Sequence, residues 1–584
     1  MFEHSHKTKK CSYNEINIYL VPIDVKLYNI GTMYIRTVTS QTKEGPTEYI
    51  QLCHNFRDKA AKRSKTKIIH NFGRADQLDV DAIRRLINSL SRLLPDWEGD
   101  LHNVDCKDMK FKGSRKIGGT SMLDGMWRRM GIDKTLKKLL HERGFQTPVE
   151  RLLFAMVCNR ALAPSSKLNM EHWVQNEVRI ENLPVVEVHQ LYRAMDFLLE
   201  ASEKIQHDVF FSVANLFNLE VDLLFLDTTT TYFEIEGEDG DTEEYEGLRK
   251  RGYGKDNHPE LAQVVIAFAV TREGIPVRCW VWPGNTSDQS IISEVKRDLN
   301  NWQLGRVVMV QDTGFNSEAN RRTLQGAGGH YIIGEKLRLG PKSKPHEALQ
   351  QKGKYRKLEN GLEIKESIVG GDSEARRRYI IIRNPEEAER DKQKREDIVR
   401  EAERRMNELK QLDGQPHEKA ACALRSHKVF GRYVRQTKTG KLNIDKAKIT
   451  AEEHLDGKYL VSTSDDGLSP EDVVLGYKQL AVIERVFRDL KHLVDIRPVH
   501  HRLPERIRAH VLLCWMAMLL IRVAENETEE TWFQMKKILS TMEVAFFELP
   551  DGDVCQSNAP DAAQKALFKA LGVDLPPRYF EIDA

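Results

Sequence analysis

The sequence predicts an α/β protein in which a mixed sheet is flanked by helices, interrupted by a β-rich insertion and preceded by a mixed β/helical N-terminal region. Three observations lead to this prediction. The first 220 residues change from alternating to helical periodicity, the middle of the chain carries near-continuous apolar runs typical of buried strands, and a very polar stretch later separates those runs from another helical region. At 584 residues the chain is also too long for a single core.

The N-terminal part is predicted from periodicity. Residues 1–32 lack the apolar core of a signal peptide, and Met33 opens the first strand-like segment, so we interpret 1–32 as a leader with little role in the fold. Residues 33–78 alternate between apolar and polar side chains and predict a small β-rich module. Residues 79–219 show apolar positions three and four apart and predict a helical region. Its charged faces suit DNA binding or plain bundle packing.

The sheet is predicted in two parts. Residues 220–336 follow the order β-β-β-α-β-α-β and form the first part of the core, whereas 337–469 read as a β-rich insertion around a highly charged helix, 385–412. Residues 470–525 resume the core with another helix, and 526–584 predict a C-terminal helical region.

Composition excludes several classes of protein. Eight cysteines are scattered without a CxxC pair, which excludes a cysteine-based zinc site and a disulfide framework and favours a reducing cytoplasm. The longest apolar run, Val511–Ile521, is too short for a membrane span. The net charge is +2 overall, yet residues 1–200 carry 32 Lys and Arg against 24 Asp and Glu. Six basic residues in Arg57–Lys67 are compatible with phosphate contacts or with a solvated loop.

Three carboxylates indicate a metal site. Asp227 and Asp312 each follow an apolar strand-like run and precede a threonine, and ligands of open α/β sheets bind beyond the carboxyl ends of strands. Each aspartate taken alone is more typical of a cap or a turn, and only the two together with Glu484 favour a metal site. Glu484 lies in a segment read as one helix, where it shares a stripe with Tyr477 and Lys491, although a surface ion pair with a residue one turn away explains that pattern too. Oxygen ligands without cysteine favour Mg²⁺ or Mn²⁺.

The ordered set of carboxylates resembles that of the DDE-class transposases of bacterial insertion sequences, in the insertion-sequence-four type group. Asp227 stands in FLDTTT, Asp312 in VQDTGF and Glu484 in the later helix, at spacings of 85 and 172 residues. The longer interval holds the β-rich insertion that this group places before its glutamate. The likeness runs from about residue 33 to residue 510.

Further segments carry the same resemblance. The group has Y-x2-R-x3-E-x6-K around its glutamate, and Tyr477 and Lys491 match in register while Leu480 replaces the arginine. The segments GYGKDNHPELAQ (Gly252–Gln263) and PGNTSD (Pro283–Asp288) are also similar to segments of that group, with a histidine where arginine is usual.

The resemblance implies an RNase H-like catalytic core that works with two Mg²⁺ or Mn²⁺ ions. Asp227 would bind both ions, and Asp312 and Glu484 would each complete one coordination sphere. The substrates would be double-stranded DNA, namely the terminal inverted repeats of an element and a target, and the freed 3′-OH would be joined to that target. Pairing two ends implies a homodimer, and the protein would be cytoplasmic and associated with the nucleoid.

The resemblance also implies the DNA contacts. Tyr477 and Lys491 would touch phosphate, and Lys255 and His258 are candidates for contacts to the DNA backbone. Because Leu480 cannot clamp a phosphate, we expect Arg488 to replace the missing arginine, with an ion pair to a neighbouring acid as the alternative.

Two other functions fit the same residues. A metal-dependent nuclease of this fold would share the carboxylates but would not join DNA ends. A catalytically inactive DNA-binding derivative is the second alternative, and the presence of all three carboxylates argues against it.

Overall fold

The structure is a computed structural model that describes residues 33–583 except 43–44, 59–62, 76–77, 79–82, 84–109, 142–147, 220, 242–246, 256–257, 303, 305, 372–375, 413 and 550–551. The chain divides into two compact units, Met1–Cys106 and Lys107–Ala584. The leader 1–32 and most of the predicted helical segment before residue 110 lie outside the described residues.

The first unit contains an antiparallel sheet in the order β1-β2-β3. Its strands are β1 (Met33–Thr42), β2 (Gly45–Asp58) and β3 (Arg63–Arg74). The alternating segments therefore form strands as the sequence predicts. The basic run Arg57–Lys67 spans the end of β2 and the start of β3, and residues 59–62 between them lie outside the described part.

The second unit is mixed α/β, which confirms the predicted class. In chain order its strands are β4 (Lys110–Lys116), β5 (Leu223–Phe233), β6 (Ala262–Val270), β7 (Pro276–Pro283), β8 (Val308–Gln311), β9 (His330–Gly334), β10 (Arg356–Lys357), β11 (Glu363–Val369), β12 (Arg377–Arg383), β13 (Val434–Gln436), β14 (Leu442–Ile444), β15 (Lys458–Thr463), β16 (Glu543–Leu549), β17 (Gly552–Ser557) and β18 (Tyr579–Asp583). Its α-helices are α1 (Gly118–Arg129), α2 (Ile132–His141), α3 (Val149–Leu162), α4 (Lys167–Asn176), α5 (Val188–Glu200), α6 (Ser202–Phe217), α7 (Ile292–Asn300), α8 (Glu318–Gln325), α9 (Lys344–Gln350), α10 (Pro385–Leu409), α11 (Gly414–Ser426), α12 (Lys446–Glu453), α13 (Pro470–Lys478), α14 (Leu480–His492), α15 (Pro504–Thr528), α16 (Trp532–Leu539) and α17 (Ala562–Ala570).

A nine-stranded mixed sheet organises this unit, in the order β10-β11-β12-β15-β9-β8-β5-β6-β7. The pairs β5–β8 and β8–β9 are parallel, and the other neighbours are antiparallel. From β5 to β9 the elements follow the predicted order β-β-β-α-β-α-β. Side chains of a strand alternate between its two faces, and β5 accordingly supplies Leu223 and Phe225 to one buried cluster and Leu224 and Leu226 to the other.

The predicted insertion, 337–469, is not a separate module. Its strands β11, β12 and β15 continue the large sheet, because β15 pairs with β9 and β12 pairs with β15. The segment that leaves the sheet is shorter and runs from α10 to α12, with the small β13–β14 ribbon inside it. The highly charged helix is present as α10, which ends at Leu409.

Two predictions of helical regions need correction. The stretch 79–219 contains β4 as well as helices, and 526–584 contains β16, β17 and β18 in addition to two helices. These four strands form one antiparallel sheet in the order β18-β17-β16-β4. Pairing between residues more than 400 positions apart creates this sheet, so local periodicity gives no sign of it.

Helix α15 is the central helix of the larger buried cluster. It is apolar and long enough to cross a membrane by composition, yet 94% of its most apolar window is buried inside the protein. It packs against α3 and α5, and α3 is itself buried along most of its length. Such a helix belongs to a core and does not indicate a membrane span.

Truncation of Leu513 in α15 tests this interpretation. Leu513 is fully buried, so Leu513→Ala leaves a cavity and should lower the free energy of unfolding by about 2–5 kcal/mol. The control is Leu168→Ala in α4, where the side chain is 71% exposed and the expected change lies within about 0.5 kcal/mol. Urea denaturation followed by tryptophan fluorescence measures both, and equal effects would contradict a central role for α15.

Candidate active site

The pairing of β5 with β8 brings Asp227 and Asp312 side by side. The parallel register runs from Leu223 opposite Val308 to Leu226 opposite Gln311, and both aspartates come one residue later. Neighbouring strands lie about 5 Å apart, so the two carboxylates leave adjacent backbone positions. Each also follows the alternation of its strand onto the face that packs against α14.

One detail of the prediction is wrong, because the strand does not stop at Asp227. Strand β5 continues through four threonines to Phe233, and its pairing with β6 extends over that whole stretch. β-Branched threonines fit a pleated strand well. Asp227 therefore marks the end of the parallel pairing with β8 and lies within a longer antiparallel hairpin.

The segment read as one helix is two helices. Helix α13 ends at Lys478 and α14 begins at Leu480, with Gln479 serving as the cap of both. Tyr477 and Glu484 consequently lie on different helices. Gly334 at the end of β9 leaves room for the Tyr477 hydroxyl, which a Cβ there would meet at 2.2 Å, and Glu484 shares a cavity lining with both aspartates.

A cavity of about 380 Å³ collects four of the predicted residues. Its lining contains Asp227, Asp312, Tyr477 and Glu484, together with Leu480. The remaining lining residues come from the helix junction and from the strands on the far side, namely Leu362, Ile382, Asn384, Tyr459, Lys478, Ala481 and Ile483. The three carboxylates predicted from widely separated segments therefore open into one space.

The predicted DNA-contact residues other than Tyr477 lie outside this cavity. Within the described part of the chain, Lys255, His258, Arg488 and Lys491 are absent from the lining of this cavity. Lys478, which sequence reasoning did not single out, is present there, two residues before Leu480. The sequence does show a lysine two residues before Leu480, and that proximity could have made Lys478 a candidate for the phosphate contact.

Lys255 contacts the first carboxylate directly. Its ammonium Nζ lies 3.1 Å from Asp227 Oδ1 and donates to the Thr228 carbonyl oxygen at 2.6 Å. Burial raises the pKa of the Asp227 carboxyl, and the Lys255 charge opposes that rise. A cation thus already stands against Asp227 and favours its ionised form.

Asp288 is a fourth carboxylate near Asp227. It ends the segment Pro283–Asp288, for which the sequence predicted no role. Its Oδ1 accepts a hydrogen bond from Thr228 Oγ1 at 2.5 Å, and its Oδ2 lies 3.9 Å from Lys255 Nζ. Asp288 follows β7, and the antiparallel pairing of β5, β6 and β7 brings it next to Thr228, a long-range pairing that spacing along the chain does not reveal.

Tyr477 is a neutral hydrogen-bond donor at neutral pH. Burial and then the nearby carboxylates, Asp312 first, raise the pKa of its phenol above the ordinary value. Its hydroxyl points to Asp312 Oδ1 at 3.4 Å. The phenol therefore adds no negative charge to a cavity that three carboxylates already line.

The two remaining arginine and histidine candidates lie at the surface. Arg488 is exposed on α14, and no ion pair of its guanidinium with Glu484 or Asp489 is found among the described residues; Asp489 instead pairs with Arg522. His258 Nδ1 lies 3.1 Å from Glu260 Oε1, and its ring lies 4.9 Å from that of Tyr232.

The donor set suits a hard divalent cation, although the side chains do not converge on one point. Among the described residues, no three His, Cys, Asp or Glu side chains lie close enough together to hold an ion. Carboxylate oxygens are the ligands that Mg²⁺ and Mn²⁺ prefer, and the ammonium against Asp227 shows that this edge of the sheet accepts a cation.

Comparison with known proteins identifies two family domains. Residues 231–520 match the transposase DDE domain, and residues 35–100 match the N-terminal domain of IS1634 family transposases. Asp312 and Glu484 lie inside the first match, and Asp227 lies shortly before it. No curated protein sequence matches the chain. Among solved structures, a piggyBac transposase synaptic complex with hairpin DNA is similar at a TM-score of 0.31 and 8% identity, over 72% of this chain and 79% of that chain.

Two threonines of β5 provide a matched test of the Asp288 contact. Thr228→Val removes the hydroxyl that donates to Asp288 and should lower the free energy of unfolding by about 1–3 kcal/mol, because the carboxylate loses a buried donor. Thr231→Val is the control, since the Thr231 hydroxyl is buried without a hydrogen-bond partner in the described structure and its removal should cost little. Denaturation curves compare the two, and a larger loss for Thr231→Val would contradict the assignment.

Proposed function

This chain belongs to the DDE transposases of bacterial insertion sequences, and we propose that Asp227, Asp312 and Glu484 are the carboxylates at which it cuts DNA. The observation that carries the proposal is the register of β5 and β8. It places both aspartates at one edge of the sheet, and the cavity they line also receives Glu484 from α14.

We propose that the catalytic part is RNase H-like. The order of its five core strands in space is β7-β6-β5-β8-β9, so that the first strand in the chain lies in the middle with an antiparallel meander on one side and parallel strands on the other. This arrangement supports the proposal, because it puts Asp227 on the central strand. The segment from α10 to α12 is then an excursion placed between two strands of the same sheet.

Divalent metal ions serve DDE transposases, and here we propose two Mg²⁺ or Mn²⁺ ions held by Asp227, Asp312 and Glu484. When bound, such ions activate the attacking oxygen and stabilise the leaving oxygen of an in-line phosphoryl transfer. Tyr477 would orient Asp312 by donating a hydrogen bond from its phenol hydroxyl to Asp312 Oδ1. Lys255 would balance the charge of Asp227, and Asp288 would fix Thr228 beside it.

DNA is the substrate, and we propose that it consists of the terminal inverted repeats and a target. The protein would hydrolyse a phosphodiester at each end and join the freed 3′-OH to the target, as a homodimer that pairs two ends. The region 79–219, His258 and Lys491 would contribute to DNA binding. We place this activity in the cytoplasm, on the nucleoid.

Replacing each proposed catalytic carboxylate tests the site. Asp227→Asn, Asp312→Asn and Glu484→Gln keep the side-chain size but remove the charge, and the loss of several kcal/mol of transition-state stabilisation should lower the cleavage rate about 10³-fold or more. The measurement uses supercoiled plasmid bearing the inverted repeats that flank this coding region, with a second plasmid as target, in Mg²⁺, Mn²⁺ or EDTA.

The control for this experiment is Asp397→Asn on α10, whose carboxylate is 70% exposed and paired with Arg400. It should cleave and join at the wild-type rate. Normal cleavage by Asp312→Asn would remove the proposed site. Nicks without any joined product in the wild-type reaction would instead favour a nuclease of the same fold.

The position of Lys478 predicts which cation meets the phosphate near Leu480. Lys478 lines the cavity, so Lys478→Met should slow cleavage about 10- to 100-fold through the loss of one charge-assisted contact. Arg488 lies outside the cavity, so Arg488→Met should weaken binding of the DNA ends and reduce the salt dependence by about one charge while cleavage of saturated complexes continues. Cleavage rates at saturating protein report the effect on the reaction, and fluorescence anisotropy at several salt concentrations reports the effect on DNA binding. The reverse pattern would assign the phosphate contact near Leu480 to Arg488.

A further inference from the structure

Tyr253 is the most exposed large hydrophobic side chain in the described part of the protein. It is 97% exposed, and the next value, that of Val185, is 77%. Single apolar side chains at a surface are ordinary. A tyrosine ring left almost entirely in water is different when its backbone is held tightly, because the fold then presents the ring to solvent at a fixed position of the chain without burying it.

The backbone on both sides of Tyr253 is fixed by close packing. A Cβ on Gly252 would lie 2.1 Å from the Gly284 carbonyl oxygen, and a Cβ on Gly254 would lie 2.7 Å from Gln263 Oε1. Gln263 is 1% exposed and donates from Nε2 to that same Gly284 oxygen at 3.0 Å. The two glycines let the segment pack against a buried glutamine: a larger residue at Gly252 would meet the Gly284 backbone, and one at Gly254 would displace the Gln263 side chain.

The same segment is fastened at its two ends. Before it, the backbones of Lys250 and Gln263 exchange two hydrogen bonds of 3.1 and 2.9 Å. After it, the Lys255 amide donates to Thr230 Oγ1 at 3.1 Å, and the Lys255 ammonium reaches Asp227. Tyr253 is therefore held two residues away from the cation that touches the first proposed catalytic carboxylate.

The strand before Tyr253 in the chain and the loop after it carry further aromatic rings and cations. The Tyr232 ring lies 4.9 Å from that of His258, and the Arg497 guanidinium lies 5.0 Å from the Tyr232 centroid. Arg251, two residues before Tyr253, is exposed, and its guanidinium donates to the carbonyl oxygens of Glu260 and Glu236. Surfaces that bind unpaired nucleic acid use this composition, because cations follow the phosphates while aromatic rings stack on the bases.

We propose that the ring of Tyr253 stacks on an unpaired base of the DNA end, next to the phosphate held at Asp227. The inference rests on the proposed function, because it requires a DNA end at the three carboxylates. The glycine contacts hold the backbone of Tyr253 in advance, so stacking has to order only the side chain. Every base offers a face to such a ring, so the contact recognises an unpaired base and not a particular sequence.

The test compares two duplex probes that carry the terminal inverted repeat, one fully paired and one with its last three base pairs replaced by mismatches. Wild-type protein should bind the mismatched probe more tightly than the paired one. Tyr253→Ala should lose that preference, with a loss of about 5- to 150-fold in affinity for the mismatched probe, the range for one base stacked on an aromatic side chain. Fluorescence anisotropy in Ca²⁺ measures both affinities without cleavage.

Matched variants separate stacking from other causes. Tyr253→Phe and Tyr253→Trp retain a ring and should keep the preference, and Phe533→Ala, which removes another ring that is 70% exposed, should leave it unchanged. An unchanged preference in Tyr253→Ala would overturn the inference while wild-type binding still supported the proposed function. Loss of self-association in Tyr253→Ala with the preference intact would also overturn it and would assign the ring to a protein interface. Binding of neither probe by the wild-type protein would overturn the proposed function, and the inference with it.

Discussion

The parallel pairing of β5 with β8 is the constraint on which the proposed site depends. Over four residue pairs it fixes the register that ends with Leu226 opposite Gln311, and the two aspartates follow at once. A shift of one residue would send one carboxylate to the other face of the sheet, against α7 and α8. The buried alternation of β5 between two apolar clusters opposes such a shift, so the core itself holds the carboxylates in place.

Placing several carboxylates close together in a partly buried site disfavours their charged forms, and Lys255 of the same chain partly offsets this effect at Asp227. Burial raises the pKa of Asp227, which means that the fold disfavours its charged form. Lys255 offsets this from a loop that is fastened to Gln263, and Asp288 lies on the other side of the same ammonium. Tyr477 adds a donor without adding a charge, since its phenol stays protonated.

Sequence predicted the elements of this arrangement better than their partners. The apolar runs that become β5 and β8 and the order of elements between them follow from local periodicity, as does the charged helix α10. What periodicity cannot express is pairing at a distance. The strands taken for an insertion join the main sheet through β15, and β4 finds β16 more than 400 residues later. At the site, threonines that read as a turn after Asp227 extend the strand, because only the presence of β6 decides between those conformations.

The helix break at Gln479 adds a second cation to consider near Leu480, beside the predicted Arg488. Glu484 and Arg488 lie on the same helix, α14, so the break leaves their spacing unchanged, whereas Lys478 lies before the break. Helix α13 ends at Lys478, which lines the cavity together with Tyr477 and Leu480. Spacing rules assume regular geometry between the residues they compare. Where two helices meet at a shared cap, the cavity lining shows which residues lie together, and it supports the proposal that Lys478 meets the phosphate near Leu480.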